Sequence, residues 1–251
     1  MSVLPHFIKA GMLASVLGVM GCAAPERTGG ISDPNEARNR DIYKGFQDVD
    51  SGFYAPASNG YGTAIPRPIR RGVSNFSANV SLPGSIVNNL LQADFKGAAD
   101  NTLRFVVNTT FGIGGLFDPA GGGGVHAKTA DFGQTLGKWG VPEGDYVVLP
   151  FIGPSTERDA FGKVVDIFTN PLSTQVEGVE RAYVVTSSIF SYADYRYEQA
   201  ELINALLYES EDSYAQARSL YLQKRRHAVG LDVTDEEADE IDALFEELYN
   251  D

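Results

Sequence analysis

The sequence has little cysteine, histidine or positive charge. Its 251 residues include one Cys and three His, and 20 Lys and Arg face 33 Asp and Glu, for a formal net charge of −13. A single cysteine excludes an intramolecular disulfide framework and any multi-cysteine zinc or iron–sulfur site. So acidic a surface repels polyanions, which argues against a nucleic-acid partner. At 43% hydrophobic and 21% charged residues, the chain is nevertheless rich enough in apolar side chains to fold.

The sequence also lacks motifs that are typical of enzymes. His126 and His227 stand outside any His-x-x-x-His or Glu-x-x-His spacing, so they are expected to be solvated rather than metal-bound. No serine lies in Gly-x-Ser-x-Gly, and the glycines at 121–124 are not followed by the Lys-Ser/Thr of a phosphate-binding loop. We therefore predict a protein that is not an enzyme, with no catalytic residue, no metal and no cofactor.

Long hydrophobic runs are scarce as well. Ala10 to Gly21 are twelve small or apolar residues, whereas a transmembrane helix needs roughly 20. The run fits the hydrophobic region of a secretory signal peptide. Val19-Met20-Gly21-Cys22 resembles a bacterial lipobox, whose cysteine receives diacylglycerol. We predict a lipoprotein signal peptide at residues 1–21, lipidation of Cys22 and a lipidated tether at 22–32. An ordinary signal peptide with an incidental cysteine is the alternative.

Helical periodicity dominates the first half of the body. Asp33 is expected to cap a helix that has Pro34 in its first turn. The stretch Ile65–Pro68 is expected to end that region, and a second helix follows. Pro83 is expected to begin a separate third helix, and Gly97–Thr110 is predicted as the fourth. A short helix is predicted over residues 129–139. Residues 112–124 hold seven glycines and are expected to form no regular element.

The second half is predicted to be helical too. Tyr146–Ile152 has strand-like residues, but Pro150 favours an extended segment over a paired strand. Helices are expected over residues 155–168, 176–209 and 211–229, the last closed by Gly230. No strand is expected to found a sheet, so the predicted fold class is mainly α. The folded domain is assigned to residues 33–230.

The negative charge is concentrated at the C-terminus. Residues 232–251 contain ten acidic side chains and no Lys or Arg, so the rest of the chain carries 23 acidic and 20 basic residues. Thr234 and Glu237 are spaced as a capping box. Apolar residues follow at i, i+3, i+4 and i+7, which predicts an acidic amphipathic helix or tail at residues 231–251. These candidate partner-docking residues are Ile241, Leu244, Phe245 and Leu248.

Ordered motifs across residues 33–171 resemble one family. The N-terminal motif Asp33-Pro34-Asn35-Glu36 through Arg40 is followed by Gly72-Val73-Ser74-Asn75-Phe76 and Arg104-Phe105-Val106-Val107-Asn108-Thr109. Further matches are Gly112-Ile113-Gly114-Gly115-Leu116-Phe117-Asp118, Asp131-Phe132-Gly133-Gln134-Thr135-Leu136-Gly137 and Gly144-Asp145-Tyr146-Val147-Val148-Leu149-Pro150. Together they are similar to the MlaA (VacJ) outer-membrane lipoproteins of Gram-negative bacteria.

The resemblance implies an architecture and a role. The expected fold is a ring-like assembly of amphipathic helices in the inner leaflet of the outer membrane, with a Gly-rich loop at a central channel. Family members remove phospholipids mislocalised to the outer leaflet and pass them to the periplasmic carrier MlaC, and they associate with trimeric porins. The expected location is the outer membrane, lipid-anchored, on the periplasmic side. A lipoprotein that only braces or tethers porins, without lipid passage, is the alternative.

The resemblance also implies candidates for the channel and lipid pathway. They combine polar and aromatic residues of the family motifs with the glycines of the 112–124 segment, which is expected to flex and gate lipid passage. These candidates are Asn39, Tyr43, Phe46, Asn75, Phe76, Asn108, Gly112, Gly114, Gly115, Gly121, Gly122, Gly123 and Gly124.

Overall fold

The computed structural model describes residues 31–150, 152–170, 172 and 176–231. The predicted signal peptide and Cys22 lie outside these residues, as do most of the tether and the acidic segment with Ile241, Leu244, Phe245 and Leu248. The described chain is mostly helical, which confirms the mainly-α prediction. Among the described helices none combines the length and apolar character needed to cross a bilayer.

The described helices can be numbered in chain order. They are α1 (Glu36–Val49), α2 (Ala55–Ala64), α3 (Arg67–Leu91), α4 (Phe95–Thr110), α5 (Pro119–Gly122), α6 (Phe132–Lys138), α7 (Glu157–Thr169), α8 (Gly178–Glu198), α9 (Ala200–Asn204) and α10 (Ser213–Val229). Two π-helical segments, Asp50–Tyr54 and Ala205–Glu209, join α1 to α2 and follow α9. The predicted helix over residues 176–209 is thus divided into α8, α9 and the second π-helical segment.

The start of α1 differs from the prediction. Asn35 precedes the helix without a side-chain cap. Asp33 instead accepts hydrogen bonds from Asn39 and, across the fold, from Arg218 of α10 at 2.6 Å. The tertiary ion pair has replaced the local cap, because a charged partner binds a carboxylate more strongly than a backbone N–H does.

The prediction of two helices around Pro83 was wrong. Helix α3 runs unbroken from Arg67 to Leu91 with Pro83 inside it. A proline in a helix interior costs about 3 kcal/mol. Leu82 and Ser85 on either side are buried, and this packing offsets the cost. Proline also begins a helix well, so the sequence alone could not distinguish an interior proline from a new first turn.

A β-hairpin was not expected. Strand β1 (Tyr146–Leu149) pairs antiparallel with β2 (Gly153–Thr156), with Tyr146 opposite Thr156 and Leu149 opposite Gly153. Pro150 lies in the turn and therefore removes no ladder hydrogen bond. The prediction of an unpaired extended segment was wrong for that reason. Residue 155 belongs to β2, so α7 begins only at Glu157 with Thr156 as its cap.

Helix ends were predictable where a local cap forms. Asp131 and Gln134 form a capping box at α6, which makes that helix shorter than the predicted 129–139. Asp212 caps α10, and Gly230 ends it in the left-handed conformation with φ of 74°. The predicted end of the last described helix is therefore confirmed, because glycine adopts this conformation without a Cβ penalty.

The hydrophobic core is small and joins α1, the hairpin and α10. Its buried members are Tyr43, Tyr146, Val148, Tyr214 and Leu222. The rings of Tyr43 and Tyr214 meet edge to face with centroids 5.7 Å apart, and those of Tyr146 and Tyr214 do so at 6.0 Å. Edge-to-face contact is the favoured geometry for aromatic pairs.

Candidate functional site

Burial across the described residues is inverted relative to a water-soluble protein. Nineteen polar or charged residues are buried there, against ten hydrophobic ones. Twenty-eight large hydrophobic side chains are exposed in the same part of the chain. Exposed apolar surface on this scale is typical of proteins that contact a membrane or another protein.

Helix α4 shows the inversion clearly. Its buried side includes Asn101, Arg104 and Asn108, at i, i+3 and i+7. Its exposed side includes Phe95, which is 70% exposed, and Phe111 directly follows the helix at 79% exposed. The helix therefore turns its polar stripe into the protein and its apolar stripe outward.

Helices α7 and α8 also expose apolar side chains. The exposed apolar side chains of α3, α4, α7 and α8 and of the segment at residues 111–117 are called the apolar exterior below. On α7 they include Ile167 and Phe168, 59% and 72% exposed; on α8 they include Ile189 and Tyr192, 57% and 69% exposed. The apolar exterior spans elements from both halves of the fold.

Buried asparagine side chains form hydrogen bonds inside the fold. Asn101, fully buried, donates to Asn89 Oδ1 at 2.8 Å and to the Lys128 carbonyl at 2.7 Å, and it accepts from the Lys128 N–H at 3.0 Å. Asn88 donates to Asp166 at 2.9 Å and accepts from Thr135 at 2.9 Å. Buried polar groups are tolerable only when they are hydrogen-bonded in this way.

A polar cluster joins α4 to the Gly-rich segment. Asp118 accepts from Arg104 Nη2 at 2.8 Å, from Asn108 Nδ2 at 2.8 Å and from the Gly121 N–H at 2.9 Å. Burial by itself raises the pKa of Asp118, but the hydrogen bonds from Gly121, Arg104 and Asn108 outweigh it and hold that pKa below its ordinary value. The carboxylate is therefore charged at neutral pH and fixes the loop to the helix.

A cavity of about 70 Å³ lies beside this cluster. Asn75 and Asn79 of α3, Arg104 and Asn108 of α4, and Asp118 contribute to its wall. Two of the predicted pathway residues, Asn75 and Asn108, are thus brought to one cavity. The polar atoms of Arg104, Asn108 and Asp118 hydrogen-bond within the fold, and these bonds fix the wall of the cavity.

A second buried cluster ties α10 to α6 and α7. Arg225 donates to both oxygens of Asp159, each at 2.7 Å, and to Asp131 at 2.6 and 2.9 Å. Tyr221 also donates to Asp159 at 2.7 Å. Burial raises the pKa of Asp159, but Arg225 and Tyr221 outweigh this and lower it overall. These contacts make the last described helix part of the fold.

Comparison with known proteins identifies the family. The sequence model of the MlaA lipoprotein family matches residues 31–228. This chain belongs to the MlaA lipoprotein family. The resemblance seen in the sequence is thereby confirmed.

Relatives and a solved structure agree with this assignment. The intermembrane phospholipid transport system lipoprotein MlaA of Escherichia coli is 34% identical over 237 residues, which cover 86% of this chain and 88% of the relative. The Haemophilus influenzae protein of the same name is 34% identical over 160 residues, covering 61% and 64%. A structure solved to explain maintenance of bacterial outer membrane lipid asymmetry superimposes with a TM-score of 0.67 at 30% identity, covering 79% of this chain and 99% of that one.

Several pathway candidates predicted from the MlaA motifs hold the fold together. Asn39 donates to the Tyr146 carbonyl at 3.1 Å and accepts from the Val148 N–H at 3.0 Å, which fixes α1 to the hairpin. Tyr43 belongs to the aromatic core. Phe46 and Phe76 are half-buried. A role of these four residues in a lipid pathway stays a prediction.

The Gly-rich segment has more structure than expected. It contains helix α5, and Asp118 caps it; the prediction of no regular element was wrong there. Gly115 has φ of +96°, and a Cβ on it would lie 2.6 Å from Asn79 Nδ2. Gly112 and Gly121 are packed as tightly against backbone or Asp118 atoms. Close approach of neighbouring atoms explains why these three positions require glycine.

The remaining candidate glycines are less constrained. Gly114 and Gly124 have positive φ but open space where a Cβ would stand. Gly122 also has open space, and Gly123 has only ordinary contacts, with neither at positive φ. These two positions therefore accept alanine without a clash, which makes them useful for testing the predicted gate.

Sequence reasoning missed much of the buried polar network. Asn79, Asn89, Asn101, Arg104 and Asp118 were not predicted as candidates. Asn89 and Asn101 bond to each other, Asn79 bonds to Thr109, and the Arg104–Asp118 pair joins α4 to the Gly-rich segment. The available signal was the polar spacing 101, 104, 108 on a helix whose other side is apolar. Of these three residues only Asn108 was predicted as a candidate.

The described residues offer no evident catalytic centre. Lys163 lies 3.1 Å from Ser155 Oγ, and burial lowers the pKa of this lysine. Ser155 is fully buried, so a substrate would have no access to its hydroxyl. Within the described ranges no three His, Cys, Asp or Glu side chains are grouped to hold a metal ion.

Proposed function

We propose that this protein is the outer-membrane lipoprotein of an intermembrane phospholipid transport system. It removes phospholipids mislocalised to the outer leaflet, maintains outer-membrane lipid asymmetry and passes the lipids to the periplasmic carrier MlaC. The names of its relatives and of the aligned structure support the general role. The observation that carries the proposal is the inverted burial of the described helices.

The energetics favour immersion in lipid. Transfer of a large apolar side chain out of water contributes about 1.5–3 kcal/mol when complete. Helix α7 alone presents Phe161, Val164, Ile167 and Phe168, each between 38% and 72% exposed. These four side chains together would contribute on the order of 5 kcal/mol to membrane binding. Helices that lie in the plane of one leaflet gain this energy without spanning the bilayer.

The polar interior supports passage of a polar headgroup. In a helix ring placed in the inner leaflet, buried asparagines and the Arg104–Asp118 pair would lie away from the acyl chains. Irregular backbone at membrane depth is tolerated only where it is buried in protein or lines a hydrated cavity. We propose that the segment at residues 112–124 lies at such a channel. Gly122 and Gly124, which have open space where a Cβ would stand, would be the positions at which this segment flexes.

Anchor and partners complete the proposal. Lipidation of Cys22 would hold the chain on the periplasmic side of the membrane, since acyl chains contribute about 0.8 kcal/mol per buried CH₂. The acidic segment at 232–251 would recruit MlaC through Ile241, Leu244, Phe245 and Leu248, with its charge steering the encounter. A trimeric porin is the proposed membrane partner.

Lipid flux tests the proposal. Acylated protein and porin are placed in vesicles with a labelled phospholipid, and lipid arriving on added MlaC is measured. We expect transfer that depends on the protein. Porin binding without any transfer would favour the alternative, a lipoprotein that braces or tethers porins. Formation of a lysophospholipid would contradict the prediction of no enzymatic activity.

A further inference from the structure

The two π-helical segments are unusual features of this fold. Asp50–Tyr54 lies between α1 and α2, and Ala205–Glu209 lies between α9 and α10. In the first, the Ala55 N–H donates to the Asp50 carbonyl, which is the i→i+5 bond of a widened turn. Such turns are rare and frequently mark functional positions. The sequence separation between them is about 150 residues.

Side chains join the two segments directly. Asp50 begins the first, and its Oδ2 accepts from Tyr208 of the second at 2.7 Å. Arg196 donates to Asp50 Oδ1 at 3.0 Å and Oδ2 at 2.9 Å, and to Asn204 Oδ1 at 2.7 Å. Asn204 is the residue immediately before the second segment. Asp50, Arg196, Asn204 and Tyr208 are called the latch below.

A further contact supports the widened turn of the second segment. Gln47, at the end of α1, donates its amide to the Leu207 carbonyl at 2.5 Å. The same amide lies 3.1 Å from Ser213 Oγ at the start of α10. The end of α1 therefore holds backbone of the second segment, just as the second segment holds Asp50.

The Asp50–Arg196 pair of the latch is buried, so removing either partner is strongly destabilising. Asp50 is 2% and Arg196 5% exposed. The hydrogen bonds that Arg196 donates to Asp50 raise the pKa of Arg196, and burial raises the pKa of Tyr208 to about 12. At neutral pH the Arg196 guanidinium is thus charged and the Tyr208 phenol is neutral. Separating one partner leaves a buried charge unpaired, which strongly destabilises the separated state.

We propose that the latch makes the two π-helical segments a single opening unit, so that one segment opens only when the other does. Helix α1 follows the predicted tether, and α10 leads to the acidic segment. A change of one residue in helical register turns the following chain by about 100° and shifts it about 1.5 Å. The unit therefore links a conformational change near the N-terminal end of the domain to one near its C-terminal end.

Hydrogen exchange of the full chain in detergent micelles tests this proposal. In Asp50→Asn we expect amide exchange to accelerate about tenfold or more in both segments, with α7 unchanged. Asp48→Asn is the matched control, because Asp48 undergoes the same change but is exposed and pairs with exposed Lys44. It is expected to leave exchange in both segments as in the parent chain.

A milder variant keeps the test decisive if Asp50→Asn fails to fold. Tyr208→Phe removes one hydroxyl from a half-exposed residue and retains the ring. We expect a smaller acceleration that is again shared by Asp50–Tyr54 and Ala205–Glu209. Acceleration confined to the substituted segment in either variant would overturn the proposal, as would unchanged exchange in Tyr208→Phe.

Discussion

Replacing Ile167 and Phe168 with glutamine is expected to weaken membrane binding about a hundredfold while leaving the fold intact. Both side chains belong to the apolar exterior, at 59% and 72% exposed. Full transfer of each from water to lipid contributes about 1.5–3 kcal/mol. Loss of most of this energy at two positions amounts to about 3 kcal/mol, and every 1.4 kcal/mol is about tenfold in a binding constant.

The assay uses chain that cannot be acylated, so that only the protein surface binds. A Cys22→Ala background is purified in detergent, diluted into vesicles of phosphatidylethanolamine and phosphatidylglycerol, and floated on a density gradient. Thermal unfolding in detergent should change little, because the substituted side chains are exposed. Thr169→Gln, exposed on the same helix, is the matched control and should float like the parent.

Two results would refute this reasoning. If the double variant floats as well as the parent, the exterior of α7 does not contact lipid. If it unfolds in detergent, the side chains belong to a packed core. Leu136→Ala is expected to affect stability and not membrane binding, because Leu136 is buried at 4% exposed. It should lower stability by about 2–5 kcal/mol and leave vesicle binding of the folded fraction unchanged.

Three further predictions concern the gate, the acidic segment and the buried ion cluster. Alanine at both Gly122 and Gly123 should reduce lipid flux without lowering the unfolding temperature, whereas Gly45→Ala, which also introduces no clash, should leave flux unchanged; normal flux in the double variant would contradict the gate. Deletion of residues 232–251 should abolish MlaC capture in a pull-down while preserving membrane attachment, and undiminished capture would exclude the docking role. The carboxylate of Asp159, whose pKa is lowered overall, should stabilise the fold above about pH 4 and lose this effect as the pH falls further. Arg225→Met should lower the free energy of unfolding by about 3–5 kcal/mol at neutral pH and weaken this acid dependence, measured by thermal unfolding across pH, because only Tyr221 and Arg158 then oppose the effect of burial on the pKa of Asp159; an unchanged pH profile would contradict the assignment.

Local chemistry made some elements predictable. Gly230 closes α10 as expected, because a left-handed end needs only the residue itself. The helical character of α1, α4 and α7 followed from apolar spacing. Pro83 and Pro150 misled for the same physical reason: a proline restricts its own backbone, but its cost depends on packing and on whether a ladder partner is present.

The candidate site was harder to predict. Asn75 and Asn108 were chosen from family motifs and do meet at one cavity. Asn39 and Tyr43 came from the same motifs and contact the hairpin and α10 instead. Motif membership does not distinguish a residue that stabilises the fold from one that faces a pathway, because both depend on precise contacts.

The sequence by itself determined the family, the mainly helical class, the single cysteine beside an apolar leader and the acidic C-terminal segment. It did not determine which side of each helix faces inward. Helical periodicity is the same whether the apolar stripe packs in a core or faces lipid, since the spacing defines a stripe and not its direction. The tertiary structure decided this by burying Asn101, Arg104 and Asn108 and exposing Phe95 and Phe111. Only the packed fold brings these polar side chains close enough to hydrogen-bond to one another. The apolar side of each helix is then exposed on the outer surface.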